Sequence, residues 1–305
     1  MDDSPESGRW LVVNPTSGTA DHVEQVRELA AEREYRVEET EAAGHAADIA
    51  EQAVANDAEL LAVAGGDGTL HEVLQGLADA DALGAVPLAV IPAGTQNLFA
   101  TNVGVETIEG GFDVAENGRR RNLDVGFAGD EPFVMSCIAG LPADASVATS
   151  DERKERFGAI AFVIAGVEAA AGFDGLYIEL TAVSNGEETT WSGDVLCALV
   201  GNVRRFVNEG GQANVEDGLF DVVLIEQMPA TNIVTEAVAQ RLFGQDTEHV
   251  VHVQASQLEI DGLHDEPIDF SIDGELSAHD RLVLYNRPRA VTVCVGDNYE
   301  QTPTE

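Results

Sequence analysis

Apolar and polar positions follow two alternating patterns in roughly the first third of the chain. The apolar runs that have the length of a buried strand are RWLVVN, LLAVA and VPLAVI, at residues 9–14, 60–64 and 86–91. Helical spacing follows the second run, where Leu70, Val73, Leu74 and Leu77 share one face. YRVEE adds a strand and HAADIAEQAVAN a helix. This alternation predicts an α/β domain with a parallel sheet covered on both faces.

The pattern changes beyond residue 123, where strand-like segments dominate. These segments are EPFVMSCIA, GLYIELTAV, DVLCALVGN, LFDVVLIEQ, SQLEIDG, PIDFSIDG and RLVLYNRP. Helices are expected near residues 155–171 and 230–243, and short Gly, Asn or Asp turns join several strands, as in an antiparallel sandwich. We therefore predict an N-terminal α/β domain, residues 1–123, to which residues 289–305 return. Residues 124–288 would form a C-terminal antiparallel β-sandwich, with a nucleotide cleft between the domains.

Acidic residues outnumber basic ones along the whole chain. The 55 Asp and Glu against 16 Lys and Arg give a formal net charge of −39. Such a distributed excess is typical of an acidic surface adapted to high salt, where ions screen the self-repulsion; simple solubility is the alternative. The balance argues against nucleic acid as a partner, because that recognition needs basic patches. The acidic start, MDDSPESGRW, does not resemble a signal peptide.

The cysteines and the longest apolar stretch indicate the cellular compartment of the protein and its relation to the membrane. Cys137, Cys197 and Cys294 lack CxxC spacing and are predicted to be reduced core residues of a cytoplasmic protein. The apolar stretch Phe157–Phe173 is interrupted by Glu168 and is at the lower length limit for a membrane span. We interpret it as a buried helix, so any membrane contact would be peripheral, at the inner face. A homodimer is compatible with the sequence.

GGDGT combines glycines with an acid at the end of a strand and the start of a helix. Helix N-termini bind phosphate well, and Thr69 is predicted to cap this helix; a ligand-free turn is the alternative. A negative charge at Asp67 is compatible with polyphosphate only if a cation lies between them. A Walker A loop is excluded because the one lysine is Lys154, and a GxGxxG fingerprint is absent.

Two further turns are expected at the same edge of the sheet. NPTSG (Asn14–Gly18) and PAGTQN (Pro92–Asn97) each follow a strand and pair glycine with a hydroxyl residue. Together with GGDGT they favour a nucleotide site. In the second domain, EDGLFD (Glu216–Asp221) and DGE (Asp273–Glu275) contain acid–glycine pairs, which by spacing alone favour simple hairpin turns.

The motifs NPTSG, GGDGTLHEV, PAGTQNLFA, DGLFDV and DGE stand in an order that resembles the diacylglycerol kinase catalytic-domain family. That family includes bacterial lipid kinases and sphingosine kinases. RFGAIAFVIAGV also resembles its helix leading into the second domain, so the resemblance covers nearly the whole chain. GGDGT alone is shared with NAD kinases and 6-phosphofructokinases, whereas NPxSG and DGE point to lipid kinases.

The resemblance implies an ATP-dependent kinase that phosphorylates a diacylglycerol-like lipid alcohol, ether-linked if the source is a salt-loving archaeon. Asp67 would lie at the phosphates with Mg²⁺, Glu275 would be the general base, and Asp124 would face the cleft. A structural Mg²⁺ would be held by the Asp217 carboxylate and by backbone carbonyls near Asn214 and Leu219. The residues that would line the ATP site are Asn14, Pro15, Thr16, Ser17, Gly18, Thr40, Gly65, Gly66, Asp67, Gly68, Thr69, Leu70, His71 and Thr95.

Departures from the family pattern concern the acceptor more than ATP. The loop GTQN has Gln96 where the family has a small residue, and Met135 stands near the family's asparagine. GLPADA replaces the motif that follows, and the loop Glu209–Gly218 is shorter and lacks a proline. Two alternatives stay open. One is a small-molecule kinase of the NAD kinase type, which would share Asp67 but not need NPTSG or Glu275; the other is a non-catalytic nucleotide or lipid sensor.

Overall fold

The computed structural model describes residues 8–18, 22–140, 175–203, 214–227, 249–264 and 266–301. The chain divides into two compact units. The described residues of the first unit lie within Met1–Val125 and Pro288–Thr302, and those of the second lie within Gly126–Arg287. The helices expected near residues 155–171 and 230–243 lie outside the described residues.

A parallel sheet forms the centre of the first unit. Its elements are β1 (Arg9–Val13), α1 (His22–Glu32), β2 (Arg36–Glu39), α2 (His45–Ala55), β3 (Leu60–Gly65), α3 (Asp67–Asp79), β4 (Leu88–Pro92), α4 (Leu98–Asn102) and α5 (Ile108–Asn117). The strands pair parallel in the order β2-β1-β3-β4. Every residue of β3 is buried, as expected for a strand inside such a sheet. The predicted α/β domain is confirmed; α5 was not predicted.

The second unit is built from antiparallel strands. Its elements are β5 (Arg119–Ala128), β6 (Glu131–Phe133), β7 (Ser136–Ala139), β8 (Leu176–Ser184), β9 (Glu187–Gly201), β10 (Phe220–Glu226), β11 (Val250–Ala255), β12 (Gln257–Gly262), β13 (Ile268–Ile272), β14 (Glu275–His279) and β15 (Arg281–Val295). Neighbours pair antiparallel in the order β14-β13-β7-β9-β8-β12-β15, and β10 pairs with β9 and β11. Strands β5 and β15 belong to both units: residues 119–125 of β5 and 288–295 of β15 lie in the first unit, where Val293 pairs with Leu88. The predicted antiparallel β domain is confirmed.

One predicted strand is divided in two. The segment EPFVMSCIA was expected to be continuous, but Val134 and Met135 separate β6 from β7. The N–H groups of Val134, Met135 and Ser136 all donate to the side-chain carboxylate of Asp273. These N–H groups donate to the Asp273 side chain and not to a neighbouring strand, so the hydrogen-bond ladder of the sheet is interrupted here.

Each unit has a hydrophobic core of its own. Leu11, Ala62 and Phe112 belong to the core of the first unit, and Phe220 and Phe270 to that of the second. Burial of such side chains is the main favourable term in folding, so each unit supports its own loops. Among the described residues, none of the helices is both long and apolar enough to cross a membrane.

The three cysteines are buried and free, so the prediction that they are core residues is confirmed. Burial raises the pKa of all three thiols, that of Cys197 to about 12. Since the thiolate is the reactive form, we expect none of them to react with a thiol reagent at pH 8 in the folded protein. All three should react after denaturation. Counting modified thiols before and after unfolding tests this, and rapid modification of the native protein would contradict it.

Candidate functional site

Three loops meet at the carboxyl edge of the parallel sheet in the first unit. They follow β1, β3 and β4, which are neighbours in the sheet and run in the same direction. The N–H of Asn14 donates to the carbonyl of Ala64 at 2.9 Å, and the N–H of Ala93 donates to that of Gly65 at 3.1 Å. The glycine-containing motifs separated in the sequence are therefore adjacent in the fold.

Polar side chains of the first loop bind both of the others. The Asn14 side-chain amide donates to Thr69 Oγ1 at 3.0 Å, and its Oδ1 accepts from the N–H and hydroxyl of Thr16 at 3.0 and 2.9 Å. The Ser17 hydroxyl donates to the carbonyl of Ala93 at 3.0 Å. These contacts hold the NPTSG loop in one conformation against its neighbours.

The predicted cap at Thr69 is wrong. Helix α3 already begins at Asp67, with Gly66 as its N-cap and no side-chain cap hydrogen bond. Thr69 lies within the first turn, buried, and its hydroxyl accepts from Asn14. A Cβ on Gly65 would lie 2.6 Å from Thr69 Oγ1, so this packing requires glycine at residue 65.

Glycines allow the loops to approach closely. A Cβ on Gly94 would lie 2.3 Å from the Cα of Gly66, and one on Gly18 would lie 2.9 Å from the carbonyl oxygen of Ala93. The N–H groups of Thr69 and Leu70 donate to the carbonyl of Gly66, so those of Asp67 and Gly68 precede the first helical hydrogen bond, and the helix dipole favours a negative ligand there. This arrangement fits a phosphate group held by main-chain N–H groups.

The Asp67 carboxylate joins two of the loops. Its Oδ2 accepts from the N–H of Leu98, and its Oδ1 accepts from that of Phe99, both at 3.0 Å. Asn97, at φ 53°, precedes these residues and hydrogen-bonds Gly94 through both atoms of its amide. The sequence did not predict the contribution of Leu98 and Phe99, because almost any residue type can supply a main-chain N–H donor. Each Asp67 oxygen keeps a lone pair with which it can also bind a cation.

The remaining predicted ATP-site residues fall into three groups by their exposure. Thr16, Gly68 and Thr95 are exposed on the loops, where a ligand can reach them. Leu70 and His71 are buried within α3, so their side chains contribute to packing. Pro15 and Thr40 are partly exposed, at the loops or next to them. The N–H of Thr40 donates to the carbonyl of Val13 at 2.9 Å.

The DGE motif forms a hairpin turn in the second unit, as its spacing favoured. Ile272 pairs with Glu275 across a two-residue turn, in which Asp273 has φ 47° and Gly274 has φ 101°. Two positive φ values are characteristic of a type I′ turn, for which an acid followed by glycine is well suited. Glu275 begins β14 and is exposed. Its carboxylate is therefore accessible to a substrate.

The two acids of this motif have different surroundings. Asp273 is only 9% exposed, and its carboxylate accepts three main-chain N–H groups at 2.8 Å. One of these donors is the N–H of Met135, a residue that departs from the family pattern. Its role here is therefore played by its main chain. Gln96, the departure in the first unit, is exposed.

The predicted metal-binding residues of the second unit form a compact turn. The Asp217 carboxylate accepts from the N–H of Leu219 at 2.9 Å, and the N–H of Asp217 donates to the carbonyl of Asn214 at 3.3 Å. Burial raises the pKa of Asp217 above its usual range, and the nearby charge of Asp221 adds to this. The described residues contain no cluster of three or more His, Cys, Asp or Glu side chains suited to a metal. A metal here would therefore depend on the Asp217 carboxylate together with carbonyl oxygens and water.

Asp124, expected to face a cleft, is instead fully buried. Its Oδ1 accepts from the N–H of Arg289 at 2.7 Å, within the first unit. This bond joins the middle of β5 to the middle of β15, which is a structural role.

Comparison with known proteins gives consistent matches over both units. A model of the diacylglycerol kinase catalytic domain matches residues 9–128, and a model of the YegS C-terminal NAD kinase beta sandwich-like domain matches residues 135–295. A "Probable lipid kinase YegS-like" of Pseudomonas putida is 30% identical over 256 residues, which are 82% of this chain and 81% of that protein. A diacylglycerol kinase of Bacillus subtilis is 26% identical over 87% of this chain and 88% of its own length.

A solved structure shows the same fold. The crystal structure of a diacylglycerol kinase from Bacillus anthracis superposes with a TM-score of 0.71, covering 97% of this chain and 98% of that chain. The sequences are 18% identical, so this likeness concerns architecture alone.

Removing the Asp67 carboxylate should disrupt the loops without unfolding the protein. In Asp67→Ala the N–H groups of Leu98 and Phe99 lose a charged acceptor, at a cost of about 1–3 kcal/mol. We expect loss of turnover and faster amide hydrogen exchange at both residues. Asp67→Asn keeps one acceptor oxygen, so its exchange rates should lie between those of the wild type and Asp67→Ala.

Glu72 supplies a matched control on the same helix. Its Oε2 accepts the N–H of Ala46, so Glu72→Ala also removes a carboxylate that binds a main-chain donor. We expect this variant to keep its turnover. Full turnover of Asp67→Ala, or equal losses in the two variants, would contradict a specific role for Asp67.

Proposed function

The chain belongs to the diacylglycerol kinase catalytic-domain family of lipid kinases, and from this we propose that it transfers the γ-phosphate of ATP to the hydroxyl of a diacylglycerol-like lipid alcohol. The resemblance carried by the sequence motifs is thereby confirmed. The observation that most supports ATP as the donor is the assembly of three glycine-containing loops around Asp67 at one edge of the sheet.

We assign the first unit to the nucleotide. Main-chain N–H groups at the start of α3, with the exposed hydroxyls of Thr16 and Thr95, would bind the phosphates. Such binding suits a chain whose one lysine, Lys154, lies outside these loops. The remaining lone pairs of Asp67 fit Mg²⁺, an ion that prefers oxygen ligands and retains water. When bound, Mg²⁺ would neutralise charge on the phosphates.

We assign the second unit to the acceptor. Glu275 would take the proton as the O–H bond of the lipid alcohol breaks, while the alcohol oxygen forms a bond to the γ-phosphorus and the bond from phosphorus to the ADP oxygen breaks. Because phosphoryl transfer needs little covalent help from the protein, alignment of these groups would supply most of the rate enhancement. A second Mg²⁺ at Asn214, Asp217 and Leu219 would be structural.

The charge of the chain bears on where the reaction takes place. At −39, the surface repels anionic lipid, so we propose peripheral docking from a high-salt cytoplasm, where ions weaken the repulsion. The large apolar side chains that are exposed among the described residues are Tyr177, Leu263 and Leu276. All three belong to the second unit, which supports this unit as the side that meets the inner face of the membrane.

An assay with radiolabelled ATP at molar salt tests the proposed reaction. Diacylglycerol, an ether-linked dialkylglycerol and NAD would be offered in parallel. We expect label in the organic phase with at least one lipid alcohol. Label on NAD alone would indicate the small-molecule kinase, and ATP binding without any labelled product would indicate a sensor.

Substituting the proposed base should act on turnover. Glu275→Gln cannot accept the proton, so we expect kcat to fall by about 10²–10⁴-fold, with the KM for ATP unchanged. Glu187→Gln is the matched control, because Glu187 is also exposed and also follows a two-residue turn. Equal activity of the two variants would rule out Glu275 as the base.

A further inference from the structure

Two hairpins of the second unit share a sequence pattern and a turn geometry. Asn185 and Gly186 join β8 to β9, and Asp273 and Gly274 join β13 to β14. Their turn residues have φ 52° and 83° in the first hairpin and φ 47° and 101° in the second. In each, an exposed glutamate begins the following strand. Local sequence alone does not distinguish them.

The hairpins differ in the first turn residue. Asn185 is exposed, whereas Asp273 is buried and accepts the three N–H groups of Val134–Ser136. The main chain adds a fourth contact, because the N–H of Asp273 donates to the carbonyl of Ser136 at 2.9 Å. Since the Asn185 hairpin forms with its side chain in solvent, the turn itself does not require a buried carboxylate. The contacts of Asp273 instead fix where the end of its hairpin lies.

The segment that receives Asp273 is also held in place. Asn202 is fully buried; its side-chain amide donates to the carbonyl of Val134 at 3.1 Å and its N–H donates to that of Met135 at 2.8 Å. The side-chain amide of Asn286 then donates to Asn202 Oδ1 at 3.2 Å. Buried polar groups are costly unless they are hydrogen-bonded, so a connected network of this kind favours one geometry.

We propose that Asp273 is a positioning residue that sets the location of the Glu275 carboxylate, an inference that rests on the proposed role of Glu275 as the base. Glu275 is two residues beyond Asp273 and pairs with Ile272, so a shift of the turn moves the start of β14 with it. A general base must lie within hydrogen-bond reach of its proton, and small displacements lower the rate steeply. Asp273 would thus affect the reaction through the position of Glu275.

The test combines Asp273→Asn with the base substitution. Asn has the same shape, but it places an N–H₂ group against at least one of the main-chain donors of Val134–Ser136. We expect kcat to fall by about tenfold or more, the KM for ATP to stay unchanged, and amide exchange at these three residues to accelerate. In the Glu275→Gln background, Asp273→Asn should cause no further loss, because it acts through the group already removed.

A second pair of variants decides the question even if Asp273→Asn does not fold. A Cβ on Gly274 or Gly186 meets open space, and both residues have positive φ, so alanine strains each turn without a clash. Gly274→Ala should lower kcat in a folded protein, and Gly186→Ala should not. Full kcat in Gly274→Ala would overturn the proposal.

The kinetics of these variants separate the inference from its premise. An inactive Glu275→Gln beside a fully active Asp273→Asn would overturn the inference and leave the proposed base standing, as would an equal loss from Asp273→Asn in both backgrounds. A fully active Glu275→Gln would overturn the proposed base, and the positioning role with it.

Discussion

Hydrogen bonds from main-chain N–H groups to carboxylates are the interaction on which both candidate sites depend. Asp67 accepts two such bonds, and Asp273 accepts three. A buried or partly buried carboxylate is costly unless its charge is compensated, and bonds to a charged acceptor are stronger than neutral ones. This chain has 55 acidic and only 16 basic residues, so cationic side chains are too few to pair with most carboxylates. Main-chain N–H groups can compensate the charge of a carboxylate without any cationic side chain.

These bonds also make the loops precise. Asp67 connects the start of α3 to the start of α4, and Asn14 connects the NPTSG loop to α3. Recognition of phosphate by N–H groups requires the donors to point at the ligand before it arrives, because reorganisation would use up binding energy. The strands beneath are short and buried, so they supply a rigid base for loops that are otherwise rich in glycine.

The parts of the fold that were predictable have a local cause. β3, β4 and all of β1 except the exposed Arg9 are apolar because a parallel sheet buries them, so their positions and the loops that follow could be recognised. β5 was missed because it begins with three arginines, and β14 because ELSAH has no clear alternation. EPFVMSCIA has the composition of one strand, and its division depends on Asp273, whose partners are 137 to 139 residues away.

The amino-acid pattern was sufficient to predict the two domain types, the three loops at one sheet edge and the family, because periodicity and motif order are properties of the chain itself. Tertiary structure alone decided what the motif residues contact. Thr69 is not a cap but an acceptor for Asn14, and Asp67 binds the start of a helix that lies 31 residues further along the chain. NGE and DGE have the same turn geometry, yet only Asp273 is buried. Burial depends on which distant segments pack together, and no local sequence pattern encodes that.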